Sequence, residues 1–308
     1  MDERIFIIFA PPYDPNIGGI IALHNLCHIL NGLGRRAYLF PYVAGLPVDL
    51  PLEIQLKMGF RVPNADIQRL EVNPAFQTPV ISLENLPTIA QSDSFIIVYP
   101  EVVWGNPLNA KNVVRWFLHN PGHFSKKVYY GPRELYFRFG PETLPAVIPG
   151  SKLSESFLTV MRCPVDLYNL DGVATVREGT AVCVRKGGGK KWVHSQENSV
   201  IIDGKPHQEV AQIFKRVKRL VSYDTRTYYS QLAVLCGCES IVIPDEGVSE
   251  EQWNPDPRKR YGLAYGFENI PKAAATADLT LGWLLEDERN SESSVRDFVN
   301  EAESFFSR

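Results

Sequence analysis

Apolar residues along this chain follow two rhythms. Short unbroken runs recur at Ile5–Phe9, Ala37–Pro41, Ser94–Tyr99, Arg219–Ser222 and Ser240–Ile243. A strand buried on both faces of a parallel sheet has this signature, because neither face is left to water. Between the runs, apolar positions return at helical spacing, over about Ile20 to Leu33 and over His207–Phe214. Strands alternating with helices predict an α/β protein with parallel sheets.

The first half opens with strand Ile5–Phe9 and the loop Ala10 to Gly19. A helix follows, with Gly34 at the position just past its end, and then strand Ala37–Pro41. This is a βαβ unit. Its glycine turn, Gly18-Gly19, lies at the carboxyl end of the first strand, where ligands bind in open α/β sheets. Residues 43–86, rich in Pro and Asn, predict no element. Lys111–Leu118 predicts a short helix and then strand Val113–Leu118, which stops at His119-Asn120-Pro121-Gly122. Aromatics and prolines fill Tyr129 to Ser151, and a polar turn at Gly150-Ser151 marks the expected domain boundary.

The alternation then restarts. Thr180–Arg185 predicts a strand ending in Lys186-Gly187-Gly188-Gly189-Lys190-Lys191, and Ser199–Asp203 a short strand ending at Gly204. Val221 to Gly247 reads as strand, polar turn, helix, small-residue turn, strand and acidic loop. The helix is expected to open with hydroxyls and an acid in its first turn and to end at Cys236-Gly237-Cys238. Its unpaired N–H groups would make that turn the place for an anionic ligand. Glu292 to Phe306 predicts an amphipathic helix with Val295, Phe298, Val299, Ala302 and Phe305 on one face. The expected architecture is two Rossmann-like doubly wound domains facing a central cleft. They span 1–152 and 153–285, and a closing helix spans 286–308.

Composition narrows the function classes. The 308 residues are 44% hydrophobic and 22% charged with a net charge of −3, so no global charge calls for nucleic acid. Five cysteines, an odd number set in apolar segments, suit buried free thiols. Cys236-Gly237-Cys238 is too tight for a zinc knuckle and has no second pair, so no metal site is expected. The opening apolar run is too short for a secretory signal, and no stretch reaches the ~18 apolar residues of a membrane span. A cytoplasmic protein is expected, with peripheral membrane contact left open by the cluster Arg258-Lys259-Arg260.

These motifs, in order, carry a resemblance over nearly the whole chain. Gly18-Gly19 is similar to the glycine-rich acceptor-side loop of GT-B fold glycosyltransferases. HNPG at His119–Gly122 resembles their inter-domain histidine loop, and KGGGKK their basic phosphate loop. SYDTRTYYSQLAVLCGCESIVIPDEG resembles the donor-binding core of the GT4-like branch. The two glutamates of that branch are absent: Asp224 stands near the first, and Leu232, beside Gln231, stands where the second would fall.

The resemblance implies an enzyme that moves a sugar from a nucleotide-diphosphate sugar to a glycan, glycolipid or glycoprotein, without metal or resident cofactor. A sugar-nucleotide epimerase of the same fold and a non-catalytic nucleotide-sugar- or glycan-binding relative are the alternatives. Lys186, Gly188, Lys190, Thr227 and Tyr228 are the candidates for the donor diphosphate. Glycines let a backbone approach it and lysines neutralise it. The order of a Walker A loop is missing, as is the GxGxxG of dinucleotide sites. Tyr223, Asp224, Asp245 and Glu246 are the candidates for sugar or ribose hydroxyls. His119 is the candidate catalytic base or donor to the leaving phosphate, with Glu101 and Asp14 as the alternative bases. Thr225 or Thr227 would serve equally as a helix cap, and Asp14, before Pro15, as a turn former. Gly18, Gly19 and Asn120 would form the acceptor-side loop.

Overall fold

A computed structural model describes residues 4–41, 70–81, 93–108, 110–123, 128–144, 146 and 148–307. The poorly patterned stretch 43–86 lies largely outside them. The chain forms two compact units, residues 1–162 with 288–308, and residues 163–287.

The first unit holds β1 (Ile5–Ala10), α1 (Gly18–Gly32), β2 (Arg36–Pro41), β3 (Phe95–Pro100), β4 (Val113–Phe117), β5 (Leu135–Arg138) and β6 (Lys152–Phe157). They make one parallel sheet in the order β2-β1-β3-β4-β5-β6. Strand alternation divides the core in two. Phe6, Ile8 and Ala10 face Leu23, Leu26 and Leu30 of α1. Ile5, Ile7 and Phe9 face the other side with Tyr99, Val103 and Leu108. The end of α1 is fixed as the sequence predicts. Gly34 takes φ +79, its N–H donates to the Asn31 carbonyl, and the Arg35 N–H donates to the Leu30 carbonyl. That is a Schellman ending, which needs a residue tolerant of left-handed backbone.

Among the described residues no short helix lies between β3 and β4. The aromatic stretch after Tyr129 contains β5. The expected boundary at 152/153 falls at the start of β6, whose pairing to β5 keeps the chain in the first unit through Arg162.

Inside β4, Arg115 is fully buried. It makes a two-pronged ion pair with Glu134 (Nε–Oε2 3.0 Å, Nη2–Oε1 2.8 Å) and donates to the carbonyls of Val103 and Gly105. Its guanidinium lies 5.1 Å from the Tyr99 ring centroid and 4.5 Å from that of Tyr130. A buried cation persists when it is paired and its donors are used, as here.

The second unit holds β7 (Thr180–Cys183), β8 (Ser199–Ile201), α2 (His207–Phe214), β9 (Arg219–Ser222), α3 (Tyr229–Leu235), β10 (Glu239–Val242), α4 (Glu250–Trp253), β11 (Leu263–Tyr265) and α5 (Ile270–Ala274). Its parallel sheet runs β11-β10-β9-β7-β8. Ala181, Cys183 and Leu220 pack under α2 and α3. Val182, Val221, Ile241 and Ala264 pack on the opposite face with Ile270 and Ala273 of α5. Helices therefore cover both faces, the doubly wound arrangement.

The closing helix α6 (Leu279–Phe306) starts earlier than expected and belongs to both units. Leu284 joins the second core, and Val295, Phe298, Val299 and Ala302 join the first. All five cysteines are buried and free. Among the described residues no helix is long and apolar enough to cross a membrane.

Candidate functional site

Each sheet has a place where its strand order reverses, and ligands of open α/β sheets bind at the carboxyl ends of the strands there. In the second unit the reversal lies between β7 and β9. The chain leaves β7 into the loop 184–191 and leaves β9 into Tyr223-Asp224-Thr225. The two sequence motifs, far apart in the chain, are thus neighbours at one sheet edge.

They meet at Gly187. A Cβ built there would stand 2.2 Å from the Tyr223 carbonyl oxygen, so only glycine fits. A 3-10 turn over Arg185–Gly187 follows β7, with the Gly187 N–H donating to the Val184 carbonyl at 2.7 Å. Lys186, Gly188, Gly189 and Lys191 are exposed on the loop.

Lys190 is differently placed. Its Nζ donates to the Ile243 carbonyl (2.6 Å) and pairs with Asp245 Oδ1 (2.7 Å). Thr225 Oγ1 donates to Asp245 Oδ2 at 3.1 Å. The hydrogen bond from Lys190 holds the Asp245 carboxyl below the usual range, aided by Thr225 and Arg226. The loops after β7, β9 and β10 are therefore tied together at Lys190, Thr225 and Asp245. Glu246 beside them is exposed.

Tyr223 and Asp224 lie beneath these loops. Tyr223 is buried, and its hydroxyl accepts the Val193 N–H (2.8 Å) and shares a hydrogen bond with His194 Nδ1 (2.7 Å). Trp192, 40% exposed, lies over the same ring at 5.9 Å and 27°. Burial lowers the His194 pKa. Asp224 is buried and accepts the Arg226 N–H at 3.0 Å.

The helix expected to begin in this turn does not. α3 starts at Tyr229 and has seven residues, so Thr225, Thr227 and Tyr228 precede it. Thr227 Oγ1 accepts the Tyr229 N–H at 3.3 Å, the local turn that hydroxyl residues favour. The residues missed by sequence reasoning are His194, three residues past the lysine loop, and Asp203, just past β8. Asp203 had a signal, an Asp-Gly pair closing a strand.

In the first unit the reversal lies between β1 and β3. Glu101 follows β3 directly and is buried. Its Oε2 accepts the Leu118 N–H at 3.0 Å, its carboxylate also accepts the His119 N–H, and its carbonyl accepts the Tyr130 hydroxyl at 2.7 Å. Burial pushes the Glu101 carboxyl up to about 7, against the opposing pull of those N–H donors. Glu101 and His119 are thus brought together through the backbone that carries His119. The His119 and His123 rings lie 4.1 Å apart, and His119 Nδ1 accepts the Asn120 N–H at 2.7 Å. Asn120 Oδ1 accepts the Leu144 N–H at 2.8 Å.

Gly18 and Gly19 form the first turn of α1. A Cβ on Gly19 would lie 3.6 Å from Leu118 Cδ1, so this turn borders the end of β4. Asp14 Oδ1 accepts the Asn16 N–H at 2.8 Å and the Asn16 side-chain amide at 2.9 Å, the turn-forming role.

The basic cluster 258–260 is answered by acids. Arg258 pairs with Asp256 and Glu286, and Arg260 with Glu250 and Glu251. Among the described residues no group of three or more His, Cys, Asp and Glu side chains is placed to hold a metal ion.

No protein-family model matches the sequence, and no curated protein matches it. Solved structures do. The glycosyltransferase VinC in complex with DTDP aligns over 99% of this chain and 100% of its own at 11% identity and a TM-score of 0.36. T4 phage BGT in complex with UDP-glucose aligns over 99% and 97% at 7% identity and 0.39. The sucrose-phosphate synthase of Thermosynechococcus elongatus aligns over 99% and 96% at 11% identity and 0.35. At these scores the likeness decides nothing about chemistry; the chain's own strand pairing defines it as two parallel α/β units.

Proposed function

We propose that this protein is a glycosyltransferase that uses a nucleotide-diphosphate sugar and a carbohydrate-containing acceptor, a glycan, glycolipid or glycoprotein. The observation that carries the reading is the meeting of the glycine-lysine loop with the Tyr223–Thr225 turn at the switch point of the second sheet. Lys186 and the exposed backbone of Gly188 and Gly189 are suited to a diphosphate. Lys190 spends two of its three donors on Ile243 and Asp245 and keeps one for the same anion. A diphosphate gains charge as the glycosidic bond breaks. Fixed cations and N–H groups that meet this charge lower the barrier. In this reading they take the part a divalent cation would otherwise play. Asp245 and Glu246 suit sugar hydroxyls, and the first unit carries the acceptor, with His119 as base and Glu101 fixing its loop.

The test is turnover. The protein is incubated with UDP-, GDP-, ADP- and dTDP-sugars and a panel of saccharide acceptors, with and without EDTA. Acceptor-dependent release of one nucleoside diphosphate, unaffected by EDTA and lost in Lys186→Ala, is the expected result. An interconverted sugar nucleotide formed without acceptor would mean epimerase chemistry. No turnover of any bound donor would mean a binding protein.

A further inference from the structure

The loop that presents Lys186 begins with a strained backbone. Arg185 has φ +36, a conformation that side-chain-bearing residues rarely adopt, directly after Val184 at φ −102 and ψ −57. Right-handed followed by left-handed backbone turns successive N–H groups toward one point. Such a nest binds an anion. Here the anion is internal. Asp203 Oδ1 and Oδ2 each accept the Val184 N–H at 3.1 Å, and Oδ2 accepts the Arg185 N–H at 2.7 Å.

We propose that Asp203 is the positioning residue of the diphosphate loop, a built-in carboxylate that fills the nest and holds the loop in the form that presents Lys186, Gly188 and Gly189 to a ligand. The inference rests on the diphosphate reading of that loop. Three anchors divide the loop's support. Asp203 fixes its start, Gly187 seats its middle against Tyr223, and Lys190 ties its end to Ile243 and Asp245. The first anchor holds the Arg185 N–H itself, beside the Gly187–Val184 bond that closes the turn across it. Because the carboxylate already occupies the nest, a ligand phosphate is directed to the exposed side of the loop. No group of Asp203 touches it there.

The test uses the full chain, inorganic pyrophosphate and UDP, by calorimetry well below the unfolding midpoint. Asp203→Ala is expected to weaken pyrophosphate binding at least tenfold, and Asp203→Asn, which keeps one acceptor oxygen, by less. Formate fits the space that Asp203→Ala leaves and restores the missing carboxylate. It is expected to recover much of the affinity of Asp203→Ala and to leave the wild type unchanged. A purely structural role would lower the unfolding midpoint while leaving the affinity of the folded protein intact, and that outcome overturns the proposal. Weakened binding that formate does not restore overturns it as well.

Should the wild type bind neither pyrophosphate nor UDP, the diphosphate reading falls first. Amide exchange then tests the positioning by itself. The Val184 and Arg185 amides should exchange at least tenfold faster in Asp203→Asn than in the wild type, with Lys190 little changed. Equal protection in both proteins means the nest does not hold the loop, and the proposal fails.

Discussion

Replacing Glu101 by Gln separates the two effects that burial imposes on the first unit. The carboxyl rises from an ordinary 4.5 to about 7, because burial outweighs the Leu118 and His119 N–H groups that favour its charge. The sign follows. Below pH 4.5 the group is protonated in both folded and unfolded chains. As the pH rises toward 7, the unfolded chain gives up a proton that the folded chain keeps. The folded state then binds more protons, so stability falls across this window, by about 3 kcal/mol in total once the pH is above 7. Gln keeps an acceptor oxygen for the Leu118 N–H and cannot ionise. The variant should therefore match the wild type near pH 4.5 and exceed it by about 3 kcal/mol near pH 8. Amide exchange of the β4 residues across this range reports the first unit by itself. Parallel stability profiles would refute the reasoning. A wild type that gains on the variant as pH rises would show that the N–H donors, and not burial, set the carboxyl.

Other perturbations read other parts of the account. Gly187→Ala pushes a methyl into the Tyr223 backbone and should cost about 1–3 kcal/mol in thermal unfolding of the second unit, as overpacking does. Glu134→Ala leaves Arg115 charged and buried, and should destabilise the first unit by about 3–5 kcal/mol in urea unfolding. The double change Arg115→Met, Glu134→Leu should cost clearly less, because no charge is then left unpaired. Lys186→Ala should weaken nucleoside diphosphate binding by about 1–3 kcal/mol in calorimetry. Lys186 is exposed, so the unfolding midpoint should not move.

The sheets were legible where the strands are buried on both faces and apolar residues stand side by side. β1, β3, β9 and β10 are buried on both faces, so their sequences carry no alternation to misread. α2 and the glycine at the end of α1 were equally plain. β6 was not. Its sequence KLSESF belongs to an edge strand that is largely open to water, and Leu153 and Phe157 are too few and too far apart to mark it. β11, with three residues, is shorter than any periodicity can reveal.

The candidate loops were readable from glycines and lysines, and their adjacency follows from strand order. What each polar residue does there was not readable. Lys186 and Lys190 look alike in sequence, yet one is exposed and the other braces three loops. Asp224 looked like a ligand contact and is buried in a turn. Asp203 looked like the end of a strand and fills a nest formed by residues across a crossover. Such roles depend on which strand lies beside which, and that is decided by the packing of the whole sheet. Arg115 is the same case in the first unit, a cation in an apolar strand whose partner, Glu134, arrives from another loop.

Donor binding tests the central claim most directly. A thermal-shift screen of UDP, GDP, ADP, CMP and dTDP, each with and without EDTA, should raise the midpoint with one diphosphate, since a ligand of the folded state stabilises it. The shift should survive EDTA and shrink in Lys186→Ala. No shift with any nucleotide, or an equal shift in Lys186→Ala, would contradict the assignment of the switch-point loop as a diphosphate site.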